Sequence, residues 1–172
     1  MPAGPFARRG GVAGQFHTMG NRNILGLAFA PDGRLWATEM GPKGGDELNL
    51  VVVGGNFGYP IVSNGSHYDG RDIPDHSSRP EFAAPKLWWD PSIAPAGMIV
   101  YSGDLFTGWK GDAIFGALVG EALIRADIDG DKARKADHWP MGARIREVQQ
   151  GPRGEIYLLE DAGRLLRLEP KR

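Results

Sequence analysis

The chain has 172 residues, 41% of them hydrophobic and 24% charged, with a formal net charge of −1. That is enough apolar material to bury one core, and the near-neutral balance gives no electrostatic case for nucleic acid or an anionic membrane. No cysteine is present, which excludes disulfides, thiolate metal sites and a cysteine nucleophile.

Arg8 and Arg9 have no apolar stretch behind them, so residues 1–20 read as a lead-in segment without a signal peptide, ahead of one unit over 21–172. No apolar run approaches the length of a membrane-crossing helix. The 26 glycines and 13 prolines are spread between apolar segments, which predicts an all-β chain of short strands and tight turns. Residues 27–29 and 35–38 form a hairpin about Pro31-Asp32-Gly33. Residues 48–53 are a strand closed by Gly54-Gly55-Asn56, and 57–92 is a long loop-rich stretch with five prolines. A stretch of that length is usually functional or a covering loop. Strands follow at 98–101, 113–118 and 122–128, the last ended by Asp129-Gly130-Asp131, and then at 145–149, 156–159 and 165–168. No long helix is expected.

A weak repeat links residues 26–40 to 147–161: Pro31-Asp32-Gly33, Trp36 and Glu39 match Pro152-Arg153-Gly154, Tyr157 and Glu160 at equal offsets. Radial repetition of hairpins, as in β-propeller blades, produces such a pattern, and so do two similar hairpins in a sandwich. The densest chemistry lies in residues 39–49, Glu-Met-Gly-Pro-Lys-Gly-Gly-Asp-Glu-Leu-Asn. Gly41, Gly44 and Gly45 permit unusual backbone, and Asp46 and Glu47 add carboxylates. Such a turn can hold a hard cation like calcium through carbonyl and carboxylate oxygens. It reads equally as a glycine-rich hairpin loop with solvated acids.

Gly20-Asn21-Arg22-Asn23-Ile24-Leu25-Gly26-Leu27-Ala28 resembles a segment of the glucose/sorbosone dehydrogenases, PQQ-dependent aldose dehydrogenases. Further stretches follow in that family's order: 39–49, Gly55-Asn56-Phe57-Gly58-Tyr59-Pro60, Pro91-Ser92-Ile93-Ala94-Pro95-Ala96-Gly97-Met98, Trp109-Lys110-Gly111-Asp112, Arg144-Ile145-Arg146-Glu147 and Gly151-Pro152-Arg153-Gly154. The resemblance implies a partial six-bladed β-propeller, about three blades, formed by 21–172 as the C-terminal half of such an enzyme. It implies PQQ and calcium as cofactors and an aldose sugar as substrate, with hydride passing from C1 to PQQ to give the lactone.

By the same resemblance Arg22 and Asn23 match the pair at the quinone oxygens, where a guanidinium stabilises developing negative charge. Ser92 matches a hydroxyl position near the cofactor, and Arg144 and Arg146 match arginines that bind its carboxylates. Gly41 and Pro42 match carbonyl ligands of the calcium that grips PQQ. Asp46, Glu47 and Phe57 match a separate structural calcium site. The five tryptophans are assigned to packing.

The departures are Asn21 for a histidine, Met40 for a polar side chain and Val119 for a lysine. The family's catalytic histidine belongs to a segment upstream of those matched, and none of His17, His67, His76 and His138 stands in its motif. Little turnover is therefore expected of this chain alone. Its open sheet edges predict a homo-oligomer or pairing with the N-terminal half. The family is mostly periplasmic. The competing reading is a non-catalytic, calcium-stabilised propeller fragment that serves binding or assembly.

Overall fold

A computed structural model describes residues 4–171. Among them the first strands are β1 (Ile24–Phe29), β2 (Leu35–Glu39), β3 (Lys43–Gly44), β4 (Asp46–Leu50), β5 (Gly65–Ser66) and β6 (Leu87–Trp89). The later ones are β7 (Pro95–Val100), β8 (Ala113–Ala117), β9 (Ala122–Asp129), β10 (Lys132–Pro140), β11 (Ile145–Gln150), β12 (Ile156–Glu160) and β13 (Leu165–Leu168). The described helical segments are single 3-10 turns, and among the described residues no helix is long and apolar enough to cross a membrane. The all-β expectation holds.

Three antiparallel sheets carry the chain, ordered β1-β2-β4-β6, β7-β8-β9-β10 and β11-β12-β13, and β3 and β5 make a separate two-stranded ribbon. The inner strand β7 packs against β1 on one side and β11 on the other. The alternation of side chains across β8 explains how the middle sheet serves two cores. Phe115 points toward the first sheet, where Trp36, Leu48, Met98 and Ile124 bury around it and Trp89 meets its ring edge-on at 5.6 Å. Ile114 points the other way, into a cluster with Tyr101, Leu123, Ile145, Val148 and Leu158. Tyr101 is fully buried and spends its hydroxyl on the Gly154 carbonyl at 2.7 Å.

The repeat noticed in the sequence extends to backbone detail. In β1–β2 the register slips between Ile24 and Gly26, with Ile24 opposite Glu39. In β11–β12 it slips between Ile145 and Glu147, with Ile145 opposite Glu160. Gly33 and Gly154 both take left-handed backbone, φ 84° and 89°, the geometry that only glycine adopts cheaply in such turns.

Three elements depart from the sequence reading. The strand expected over 48–53 begins earlier, at Asp46, and ends at Leu50. The loop-rich 57–92 hides β5 and β6, the latter pairing Leu87–Trp89 against β4. Asp129-Gly130-Asp131 does not end a hairpin but turns into β10, a nine-residue edge strand. Its charged, largely exposed sequence lacks the apolar alternation that marks a strand, because only one flank of an edge strand is paired and neither face is deeply buried. On β1, Leu25, Leu27 and Phe29 are 40%, 57% and 69% exposed, an apolar row left uncovered by the described residues.

Candidate functional site

A cleft of about 620 Å³ opens where four segments of the first two sheets meet. Arg22, Asn23, Gly41, Pro42 and Ser92, five of the residues singled out in the sequence, line it together. Met40 and Val119, the two departures, line it too, as does Tyr68.

Arg22 precedes β1, and its backbone N–H donates to the Glu39 carboxylate at 3.3 Å. Asn21 reaches the same carboxylate oxygen at 3.2 Å, and Met40 N–H closes the segment onto the Asn23 carbonyl at 3.0 Å. The guanidinium donates to the Met40 carbonyl at 3.0 Å and to the Tyr68 hydroxyl at 3.1 Å. It also lies over the Tyr59 and Tyr68 rings, 5.7 and 5.9 Å from their centroids, a favourable cation–π arrangement. Tyr59 and Tyr68 come from the 57–92 stretch. Sequence reasoning passed over them; the available signal was a pair of aromatics in an otherwise polar, proline-broken loop.

Below the cleft floor Asp46 is fully buried. One oxygen accepts from Gly41 N–H at 2.9 Å. The other accepts from the Ser92 hydroxyl at 2.6 Å and from the Ile93 and Ala94 N–H groups at 2.7 and 2.6 Å. Ala94 has φ 50°, a left-handed conformation that costs a residue with a Cβ roughly 1–2 kcal/mol. The hydrogen bond to Asp46 offsets that strain. The resemblance implies Asp46 as a ligand of the structural calcium site, and the alternative reading makes it a solvated loop acid. Its oxygens instead face four protein donors, which makes it an anchor of loops.

Glu47 is placed differently. It stands opposite Glu39 across the β2–β4 pair, and both residues are only 4% exposed. Burial, then the charge of Glu39, pushes the Glu47 pKa up to about 9, and burial raises Glu39 as well. Asn49 donates to Glu47 at 3.0 Å, and its own buried Oδ1 has no donor. His76 Nε2–H donates to the Phe57 carbonyl at 3.1 Å, and its Nδ1 stands unpaired 3.9 Å from Glu47. Burial lowers the His76 pKa. Two buried carboxyls facing each other and an orphan amide oxygen on Asn49 gather oxygen donors of the type calcium takes. Among the described residues no three of His, Cys, Asp and Glu cluster closely enough to hold a metal alone, so any cation there relies on neutral oxygens. The residues fit calcium on those terms.

Arg144 and Arg146 lie outside the cleft lining. Both reach Asp161, Arg144 at 2.8 Å and Arg146 through two bonds at 2.7 and 3.0 Å. The Arg146 contact, then the Arg144 contact, holds Asp161 down at about 2. Arg144, just before β11, and Arg146 within it turn to the same side, yet a carboxylate of the chain already occupies both forks. None of the four histidines lines the cleft. Nor does any tryptophan: Trp36 and Trp89 are core, Trp109 stacks with Phe106 and Trp139, and Trp88 is 47% exposed on β6 rather than packed.

The described family of glucose/sorbosone dehydrogenases matches over residues 1–167. The aldose sugar dehydrogenase YliI of Escherichia coli is 35% identical over 97% of this chain and 47% of its own length. The apo crystal structure of the soluble aldose sugar dehydrogenase of E. coli superposes with a TM-score of 0.87 at 34% identity, covering 99% of this chain and 51% of that one. The PQQ-bound aldose sugar dehydrogenase of Streptomyces coelicolor gives 0.75 at 25% identity, covering 98% and 48%. The chain spans about half the length of the curated relatives it matches. The match along nearly all of its residues, in sequence and in backbone, makes the chain a member of the glucose/sorbosone dehydrogenase family.

Proposed function

We propose that this chain supplies the quinone-binding part of a PQQ-dependent dehydrogenase that oxidises an aldose sugar at C1 to the lactone. In this reading its three sheets are three blades of a six-bladed propeller formed by residues 21–172, with 1–20 as a lead-in. The observation that carries it is the convergence of Arg22, Asn23, Gly41, Pro42 and Ser92 on one cleft from segments far apart in the chain.

PQQ, when bound, supplies the two-electron acceptor for the C1 hydride, and calcium a Lewis acid beside it. The chain's own residues then divide the work. Arg22, fixed between the Met40 carbonyl and Tyr68, presents a pre-oriented positive charge that stabilises negative charge on the quinone oxygens without reorganising. Asn23 adds a neutral polar group at the same edge. Gly41 and Pro42 offer carbonyls to calcium from a turn locked at the Gly41 amide. Ser92 donates its hydroxyl hydrogen bond to Asp46, which leaves its oxygen free to accept from the cleft. Arg144 and Arg146, held side by side by Asp161, are the proposed partners of cofactor carboxylates, a role suited to planar forks. Glu47 and the Phe57 carbonyl, with Glu39 and Asn49, form the second calcium site. The proton acceptor for the sugar hydroxyl comes from outside these residues, and the working assembly is periplasmic, completed by an N-terminal half or a second copy.

The test is titration of the full chain with PQQ in calcium, read by cofactor absorbance, followed by dye-linked aldose oxidation. A saturable absorbance change with little turnover is expected. Absence of any PQQ uptake removes the proposal. A second reading, a calcium-stabilised propeller fragment without catalysis, draws on the Glu39–Glu47 pair, which lies outside the cleft lining. Calcium-dependent stabilisation without a PQQ absorbance change would favour it.

A further inference from the structure

We infer that Asp46 is the positioning residue of the cleft, one buried carboxylate that sets where the Gly41–Pro42 turn, Ser92 and Ala94 stand relative to one another. The inference rests on the reading of the cleft as the cofactor site and assigns Asp46 its part in it.

Asp46 opens β4, and its backbone is fixed by pairing with Trp89 of β6. The carboxylate therefore projects from a sheet, while the segments it holds are loops. One of those lies five residues before it, the other 46 to 48 residues after. The grip reaches a third wall as well. Leu118 N–H donates to the Ala94 carbonyl at 2.8 Å and Val119 N–H to the Ile93 carbonyl at 3.1 Å, so the segment that carries Val119 hangs from the same point. A rigid element holding several loops by one group is how a site keeps its geometry.

The residue type follows from the donor count. Four donors converge on two oxygens, and only an ionised carboxylate accepts at both without presenting a donor of its own. Asparagine keeps one accepting oxygen. Turned toward residues 92–94 it satisfies three donors and sets its NH2 against Gly41 N–H, so Asp46→Asn releases the Gly41 turn selectively.

The experiment uses the full chain and Asp46→Asn. Amide hydrogen exchange is recorded at Gly41, Ile93 and Ala94 without ligand, and PQQ is then titrated in calcium by absorbance at a temperature where near-UV circular dichroism shows both proteins folded. Expected in the variant are Gly41 exchange about tenfold faster, Ile93 and Ala94 protection retained, and a Kd for PQQ weakened about tenfold. A purely structural role would lower the melting temperature and leave the Kd of the folded protein alone. Equal affinity in the two proteins overturns the inference and leaves the cofactor reading standing; a wild-type chain that takes up no PQQ overturns both. Should Asp46→Asn not fold, Ser92→Ala strips one donor and keeps the carboxylate. Faster exchange at Ile93 and Ala94 in that variant supports the inference, and unchanged exchange there overturns it.

Discussion

Glu47→Gln should stabilise the metal-free chain near neutral pH and leave it unaltered in mild acid. Glu47 faces Glu39 with almost no solvent contact, and folding moves its pKa from 4.5 to about 9. Between those values the folded chain holds a proton that the unfolded chain releases. The stability tied to that proton is fully present below pH 4.5 and drains at about 1.4 kcal/mol per pH unit on the way up to the folded value. Near pH 7.5 the drain amounts to about 4 kcal/mol, an upper figure because a buried pair relaxes, and still a large share of a domain's stability. Glutamine removes the titration, keeps an oxygen for the Asn49 amide, and can donate to Glu39. Urea denaturation in a chelator, in steps from about pH 5 to about pH 9, measures the difference. The gap between variant and wild type should open steadily with pH. Parallel curves would refute the assignment of a proton to this pair. Saturating calcium should flatten the wild-type slope, since the cation takes the proton's place, and should stabilise the variant less.

Arg22→Lys keeps a charge but cannot bridge the Met40 carbonyl and Tyr68 together; PQQ affinity should fall about tenfold or more, and an unchanged titration would remove Arg22 from the cofactor site. Lysine at both Leu27 and Phe29 interrupts the exposed apolar row on β1. Sedimentation should show the wild type self-associating and the double variant less so, and a wild type that is a strict monomer with sharp cooperative unfolding would sink this expectation. Phe115→Ala empties the middle of the first core beside Trp89 and should cost about 3–5 kcal/mol in equilibrium unfolding. Asp161→Asn lets Arg144 and Arg146 separate. Because the pair holds the Asp161 pKa down at about 2, below its ordinary 3.8, the stability difference from wild type should be full above pH 3.8 and fade as the pH falls toward 2.

Much of the fold was legible because turn chemistry is local. Pro31-Asp32-Gly33 and Pro152-Arg153-Gly154 announce their hairpins through residues within one turn of each other, and the short apolar runs 113–118 and 122–128 announce β8 and β9. The charged strand β10 was not legible, because its strand state comes from eight cross-strand partners on β9 rather than from its own pattern. The same division runs through the site. Arg22, Asn23, Gly41, Pro42 and Ser92 could be named from motif order alone. Tyr68 could not, since its value lies in reaching Arg22 from 46 residues away.

By itself, then, the sequence determined the all-β class, the hairpin positions, the family and the residue types available for binding an anionic quinone and a hard cation. Tertiary structure alone decided the roles of adjacent acids. Asp46 and Glu47 are neighbours in the chain, but successive strand residues point to opposite faces. One carboxylate meets four donors and anchors the cleft. The other meets Glu39 across the β2–β4 pair and becomes a buried acid whose pKa is raised. Which charges a side chain meets is set by register and loop packing, and neither is written in the spacing of the residues that carry them.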